Sequence, residues 1–387
     1  MKKYILSIAM VFAITICALG LASCNGGKKN TCDEHGGELD NGICRACDSE
    51  ASSGLIYVLI DNGTAYAVEN IGPCTEVNIV VPERYNNLPV TCIGPSAFAF
   101  SNIESVSLSN SITVISADAF RNCSMLSEIE IPESVRTIEK YAFSSCTSLE
   151  SVSFKGSSQI TKIDEETFIE CTALKNIQIP VGVKSIEKRA FRDCTDLEEI
   201  SFATGSQLEL IGELAFFGCS SLEEIAIPDS VKTISRQAFD ACSSLSSLDL
   251  GDGVEYIGDY AFNACSELES LFIPSSLKSV GHGTFSFCEQ LSSVTFASGS
   301  QLKTIGESMF NNCISLQSIT IPATVTGIDY WAFQNCILLE NAIFENPNGW
   351  YVSQSKDAMS GTDLSLSNSQ TNATYLTATY KEYYWKK

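Results

Sequence analysis

Residues 119–132 read AFRNCSMLSEIEIP, and versions of this stretch return along most of the chain. The phenylalanine in it belongs to a series whose members follow one another at steps of 22 to 25 residues. The series consists of Phe98, Phe120, Phe143, Phe168, Phe191, Phe216, Phe239, Phe262, Phe285, Phe310 and Phe333. A period of this length indicates a solenoid, in which each turn closes its core only by stacking on its neighbours.

Each repeat follows the pattern Ala-Phe-x-x-Cys-x-x-Leu-x-x-Ile-x-Ile-Pro-x-x-Val-x-x-Ile. Its Leu-x-x-Ile-x-Ile part alternates with period two, which predicts a short strand with one buried face. The proline ends that strand because it has no N–H to donate. Val-x-x-Ile then returns the chain across the core, and Ala-Phe-x-x-Cys forms the turn into the next strand.

Three repeats are 25 residues long, and the same kind of insertion explains the extra length in all three. A Gly/Ser bulge replaces the proline at residues 156–159, 205–207 and 299–301. Because the insertion falls at one point of the repeat, the three bulges should lie along one edge of the solenoid.

This repeat resembles the BspA-like leucine-rich repeat family of bacterial surface lipoproteins, over about residues 55–344. The resemblance implies a leucine-rich repeat solenoid, a right-handed superhelix of about eleven 23–25-residue repeats with a parallel β-sheet on the concave face and few helices. It also implies a cell-surface adhesion or interaction protein. It carries no catalytic residues.

Ten repeats place a cysteine at one register: Cys123, Cys146, Cys171, Cys194, Cys219, Cys242, Cys265, Cys288, Cys313 and Cys336. A fixed position in an apolar unit predicts one column inside the core, where free cysteine packs as a small hydrophobe. Stacked turns point their Cβ atoms in parallel, so we expect thiols rather than disulfides.

The composition is acidic, with 24 Lys plus Arg against 46 Asp plus Glu and a net charge of −22 over 387 residues. This charge excludes nucleic acid as a partner, because nucleic acids are bound by basic surfaces. The chain has no phosphate loop, nucleophile elbow or His-Glu-x-x-His pattern, and His282 stands between two glycines as a turn residue. We therefore expect no enzyme activity.

Residues 1–23 form a predicted lipoprotein signal peptide, with a basic start and an apolar stretch over residues 5–21. The end, Leu21-Ala22-Ser23-Cys24, resembles a bacterial lipobox, in which the cysteine is lipidated. Acyl chains on Cys24 would hold an exported protein to the cell envelope, at the cell surface, without a spanning helix. The alternatives are a plain signal peptide or a membrane span.

Residues 24–54 are predicted to be a flexible tether containing Cys32, His35, Cys44 and Cys47. The two pairs resemble a zinc knuckle, since three thiolates and one imidazole make a tetrahedral zinc set. A disulfide with one spare thiol, or unused thiols, are the alternatives. Each of the three roles is structural.

Two atypical segments flank the array of residues 98–344. Residues 55–97 form a predicted N-terminal capping unit, with a hairpin around residues 61–63. Within it, Cys74 and Cys92 lie outside the cysteine column, and the sequence leaves open whether they form a bridge. Residues 345–387 are rich in aromatic residues and predict a C-terminal cap of short strands, with no second domain after it.

The strand face is the natural binding surface of a solenoid. Glu198, Glu199, Glu223 and Glu224 fall at the same place in adjacent repeats. Like charges side by side destabilise a sheet, so this cluster is either a solvated face or a site for a cation or a Lys/Arg-rich segment of a protein partner. Two functions remain: a surface protein that binds host matrix or another cell, and a ligand-capture lipoprotein for glycan or peptide uptake. A passive surface coat is a third, simpler reading.

Lipidation predicts a specific mature N-terminus. We expect mass spectrometry of the protein from its native membrane to find Cys24 as the first residue, with the mass of acyl chains added to it. An unmodified mature N-terminus at any other residue would contradict the lipobox interpretation.

Overall fold

The computed structural model describes residues 39–40, 43–44 and 51–387. Twelve short strands, here called front strands, run parallel in two sheets of eight and four. The front strands are Asn78–Val81, Ser105–Leu108, Glu128–Ile131, Ser151–Phe154, Asn176–Ile179, Glu199–Phe202, Glu224–Ala226, Ser247–Asp249, Ser270–Ile273, Ser293–Phe296, Ser318–Ile321 and Asn341–Phe344. They coincide with the alternating part of each repeat, which confirms the predicted parallel solenoid with few helices.

A second line of strands, here called back strands, lies where Val-x-x-Ile crosses the core. In the repeats they are only two residues long: Val114–Ile115, Thr137–Ile138, Lys162–Ile163, Ser185–Ile186, Leu210–Ile211, Thr233–Ile234, Tyr256–Ile257, Ser279–Val280, Thr304–Ile305 and Gly327–Ile328. Their isoleucine or valine points inward, and the pairing between successive repeats is parallel. The sequence predicted the crossing but not this second set of strands.

The N-terminal end of the array begins with the predicted hairpin. Ile56–Ile60 pairs antiparallel with Ala65–Asn70, and the short 3₁₀ turn Asp61–Gly63 joins them. Leu88–Ile93 then pairs with both Ala65–Asn70 and the short strand Arg84–Tyr85, and it leads into the back strands. Cys74 and Cys92 are both free thiols, so they form no bridge. Upstream, Leu39–Asp40 and Ile43–Cys44 form a two-stranded antiparallel pair.

The eleven phenylalanines of the series form one continuous stack through the core. Neighbouring ring centroids are 5.0–6.1 Å apart and the rings are within 23° of parallel. Every ring is fully buried or nearly so. Aromatic contacts of this kind add to the free energy gained from burying the rings themselves, so the stack ties each turn to both neighbours.

Each turn places two residues in the left-handed region, two positions before and two positions after the phenylalanine. Around Phe120 these are Asp118 and Asn122, with φ of 58° and 56°. These left-handed positions direct every second N–H of the segment toward the next turn. Phe120 N–H, for example, donates to Ala142 O at 2.7 Å. Non-glycine residues adopt this conformation at a cost in free energy, which the hydrogen bonds between turns offset.

The cysteines of the column form hydrogen bonds in addition to filling space in the core. All ten thiols are free and buried, and each Sγ donates to the carbonyl of the phenylalanine one turn earlier, at 3.1–3.4 Å. Burial raises the pKa of the Cys171, Cys288 and Cys336 thiols to about 12. A raised pKa keeps these three thiols protonated, whereas at Cys123 the hydrogen bond with Cys146 lowers the pKa. The buried column without disulfides is as the sequence predicted.

The C-terminal end of the solenoid combines strands with a helical segment. Tyr351–Ser353, Thr362–Asp363 and Tyr384–Lys386 pair antiparallel and continue the last back strand. The short helix Ser369–Thr374, followed by one π turn at Tyr375–Thr379, lies against the last front strand. The sequence predicted only strands here. The helix starts where Asn368 Oδ1 accepts from Thr371 N–H at 2.9 Å, a normal N-cap.

Two tryptophans close the last turn. Trp350 and Trp385 are each 2% exposed, and both pack on Phe344 of the last front strand. Within the part of the chain that the structure describes, no helix is long and apolar enough to cross a membrane.

The buried stack predicts a large loss of stability when one ring is removed. Phe239→Ala, in the middle of the stack, should lower the free energy of unfolding by about 3–5 kcal/mol, because packing is lost and a cavity remains. Urea denaturation measures this change. The matched control is Phe272→Ala, whose ring is 52% exposed on a front strand. Equal losses in the two variants would contradict a continuous buried stack.

Candidate functional site

The candidate site is an open groove of about 650 Å³ on the front sheet, here called the acidic groove. Its floor is formed by the outward side chains of three front strands, which carry Glu199, Glu224 and Asp249. The side chains face outward because the alternate positions, such as Ile225, are buried in the core. The groove thus presents three exposed carboxylates on a rigid sheet.

One wall of the acidic groove is the second of the three Gly/Ser bulges. Gly205 has φ of 77°, a conformation that L-residues with side chains rarely adopt, and it brings Ser206 beside the groove. In the next turn, also after the end of its front strand, Asp229 Oδ1 accepts from Asp252 N–H at 2.8 Å and so contacts the turn that follows. The insertion therefore shapes a recess on what would otherwise be a flat strand face.

The predicted cluster of four glutamates is divided by the fold. Glu199 and Glu224 are direct neighbours on adjacent front strands, and both line the groove. Glu198 and Glu223 also lie on adjacent turns, but they precede the strands and do not line it. Asp229 and Asp249 complete the acidic lining instead. Asp249 could have been found from its outward position in the strand pattern, whereas Asp229 follows a strand-ending proline and carries no such signal.

The carboxylates of the groove have no basic partners among the described residues. Elsewhere on the front face, Glu130 pairs with Lys155 at 2.6 Å and Glu150 with Lys175 at 2.7 Å. The hydrogen bond from Lys175 to Glu150 raises the pKa of that lysine, with a smaller contribution from the charge of Glu198. No such pair forms at Glu199, Glu224 or Asp249 in residues 51–387. Within residues 51–387, no ion pair therefore offsets the charge of these three carboxylates.

The geometry of the groove bears on the cation that the sequence suggested. Within the described residues, no group of three or more His, Cys, Asp or Glu side chains is close enough to hold a metal ion. The acids of the groove are spread along the sheet rather than gathered around one point. This arrangement suits an extended basic segment better than a single cation.

The remaining candidate residues are placed as follows. Cys24, Cys32 and His35 lie outside the described residues, as do the side chains of Cys44 and Cys47. His282 is exposed, and its Nδ1 lies 3.3 Å from Glu307 Oε2. Cys288 is fully buried, and its thiol donates to Phe262 O at 3.4 Å, so the thiol is already used inside the core.

Comparison with protein families identifies the repeat. The family model of the BspA type leucine rich repeat region, which describes six copies of the repeat, matches residues 91–222 and 209–340. Together these matches span more than half of the chain. The protein belongs to the BspA type leucine-rich repeat family. This repeat fold is typically used to bind other proteins and is typically non-catalytic.

Solved structures of similar proteins carry the same kind of repeat. The chain is similar to the T. pallidum leucine rich repeat protein TpLRR, with 25% identity over 56% of this chain and 88% of that chain, at a TM-score of 0.42. A leucine rich cell surface protein from Faecalibacterium prausnitzii is 24% identical over 78% and 97%, at 0.41. The pneumococcal vaccine antigen PcpA is 20% identical over 76% and 81%, at 0.48. A comparison with curated proteins finds no match.

Proposed function

We propose that this BspA type protein is a lipid-anchored protein of the bacterial cell surface that mediates adhesion by binding a protein partner through the acidic groove. The support for anchoring is the signal sequence that ends at Cys24. The support for binding is the groove itself: three carboxylates that have no basic partner in residues 51–387, held on a rigid sheet and walled by an inserted loop. A Lys/Arg-rich segment of an extracellular protein has the complementary charge.

An extended basic segment fits the spacing of the groove. Adjacent front strands lie about 4.8 Å apart, so the three turns that carry the carboxylates span about 10 Å across the sheet, which is the length of about three residues of an extended chain. The long side chains of lysine and arginine in such a chain can reach carboxylates on more than one turn. Association would be accelerated by the acidic field of the whole protein, which carries a net charge of −22. It would weaken as added salt screens that field. Neither effect requires a catalytic group.

Ligand capture for a glycan or peptide uptake system is the other function that the sequence left open. A capture protein encloses a small ligand in a cavity that buries most of its surface. The acidic groove is instead open along the sheet, and its lining combines carboxylates and serines with apolar residues such as Phe202, Ala226 and Pro228. This shape favours an interaction between proteins.

The test compares two variants of equal charge. Glu199→Gln with Glu224→Gln and Asp249→Asn removes three charges from the groove. The control, Glu69→Gln with Glu83→Gln and Asp363→Asn, removes three exposed charges outside it. We expect the first variant to bind a poly-lysine peptide and basic extracellular matrix proteins roughly tenfold more weakly than wild type, with a reduced dependence on salt. The control should bind nearly as wild type does.

Fluorescence anisotropy at several salt concentrations measures both quantities. Equal loss in both variants would show that only the net charge matters and would contradict a site at the groove. Unchanged binding by the groove variant would also contradict a site at the groove.

A further inference from the structure

A second groove, of about 720 Å³, lies on the opposite side of the solenoid and is here called the cap groove. It forms where the last back strands meet the C-terminal strand Tyr384–Lys386, which pairs antiparallel with Gly327–Ile328. Gly281 and Gly306, in successive turns, leave its floor open because they carry no side chains. This position, four residues before the phenylalanine, is also glycine in three earlier turns, at residues 94, 212 and 258, whereas other turns carry Glu139, Asp164, Glu187 or Asp329.

The cap groove collects lysines in a chain that is strongly acidic. Its lining includes Lys278, Lys303, Lys356, Lys386 and Lys387. Over the whole chain, acidic residues outnumber Lys plus Arg by 46 to 24. In this groove the five lysines face four acidic residues, Asp259, Glu307, Asp329 and Asp357. The local charge balance is therefore reversed.

The lysines come from two parts of the chain that only the fold brings together. Lys278 and Lys303 occupy the same position in successive turns, so their backbones are about one strand spacing apart. Lys356 and Lys386 stand on the opposite wall, in the C-terminal cap. The cationic side chains thus line both sides of one recess.

Three of these lysines have no carboxylate partner among the described residues, and one of them, Lys387, donates its Nζ to Asn346 O at 3.1 Å. Lys303 Nζ forms no ion pair there, and Lys386 Nζ donates to backbone carbonyls, including Ala358 O at 3.3 Å. By contrast, Lys356 pairs with Asp329 at 3.0 Å and Lys278 pairs with Glu255. Lys303 is therefore free to bind an anionic ligand, and Lys386 keeps one of its three N–H donors for it beside the two carbonyls that it already contacts.

Most acidic residues of the cap groove are already engaged. Glu307 faces the imidazole of His282 at 3.3 Å, and Asp329 holds Lys356. Asp259 Oδ1 accepts the backbone N–H of His282 at 2.8 Å. Asp357 alone among the four has no such contact in the described part of the chain. Among the described residues, an ion pair with a lysine offsets the charge of Asp329, so a ligand would meet Asp259, Glu307 and Asp357 beside the lysines.

We propose that the cap groove binds an acidic segment of a second protein partner, with Lys303 and Lys386 as the main contacts. A lysine ammonium group is a compact point charge that can donate to single carboxylates from several directions. Arginine instead offers the planar fork suited to bidentate contacts. The carboxylates that stay in the lining would repel a densely charged polyanion, but they tolerate an extended peptide whose acidic side chains alternate with neutral ones. The acidic groove and the cap groove would then bind segments of opposite charge.

Two variants of equal charge test this proposal. Lys303→Gln with Lys386→Gln neutralises the cap groove. The control, Lys155→Gln with Lys175→Gln, neutralises two exposed lysines of the front face. The probe is a fluorescein-labelled peptide of alternating glutamate and serine, titrated with wild type and both variants at low and physiological salt.

We expect the cap groove variant to bind the peptide roughly tenfold more weakly than wild type, with a smaller dependence on salt. The control variant, which loses the same two charges away from the groove, should bind nearly as well as wild type. No binding of the peptide by wild type, or an equal loss in both variants, would overturn the proposal. Binding of a heparin fragment in place of the peptide would also overturn it, because the ligand would then be a sulfated glycan.

A poly-lysine titration of the same variants separates this proposal from the one for the acidic groove. Poly-lysine binding that persists in the cap groove variant, together with loss of the acidic peptide, supports two independent sites. If the cap groove variant lost binding to both ligands, two independent sites would be contradicted. Such a result would indicate a general effect on the fold or on the net charge of the protein.

Discussion

The carbonyl of each core phenylalanine is the point through which neighbouring turns are held in register. Phe120 O accepts two hydrogen bonds, from Cys123 N–H in its own turn and from the Cys146 thiol in the next, both at 3.1 Å. A carbonyl oxygen has two lone pairs, so both bonds can form at once. The rest of the repeat follows: rings stack directly above rings, front strands align residue by residue, and each outward column has a fixed spacing.

This contact also explains why the column is cysteine. Alanine would fill nearly the same space but would leave the second lone pair of a buried carbonyl without a partner, which costs free energy. Serine could donate, and Ser101 stands at this register in the first unit, where its side chain is half-buried. At fully buried positions a thiol combines a weak donor with the apolar character that the core requires.

Because the core is the same in every turn, the two proposed sites arise where turns differ. The acidic groove exists because one turn carries a bulge at Gly205 beside the strands with Glu199 and Glu224. The cap groove exists because the C-terminal strand folds back beside two successive turns that carry Gly281 and Gly306. A solenoid separates stability from recognition in this way, since its turns contact only their neighbours and its surface columns vary freely.

The sequence predicts the fold well because every repeat carries the same signal. The period, the front strands, the N-terminal hairpin and the buried cysteine column can all be read from it. The back strands could not, because two residues show no periodicity. The left-handed positions were also hidden, since residues such as Tyr141 and Trp331 occupy them where glycine would have been the signal. Both grooves depend on residues distant in sequence, such as Lys303 and Lys386, whose proximity only the packed cap creates.

The register account is tested most directly by measuring the reactivity of each thiol with mass spectrometry. The folded protein is treated with a maleimide under reducing conditions, and the labelled cysteines are identified after digestion. The account predicts that Cys74, which is partly exposed, is labelled, whereas the ten cysteines of the column react only after denaturation. Rapid labelling of the column in the folded protein would contradict the buried thiol–carbonyl contacts on which every turn depends.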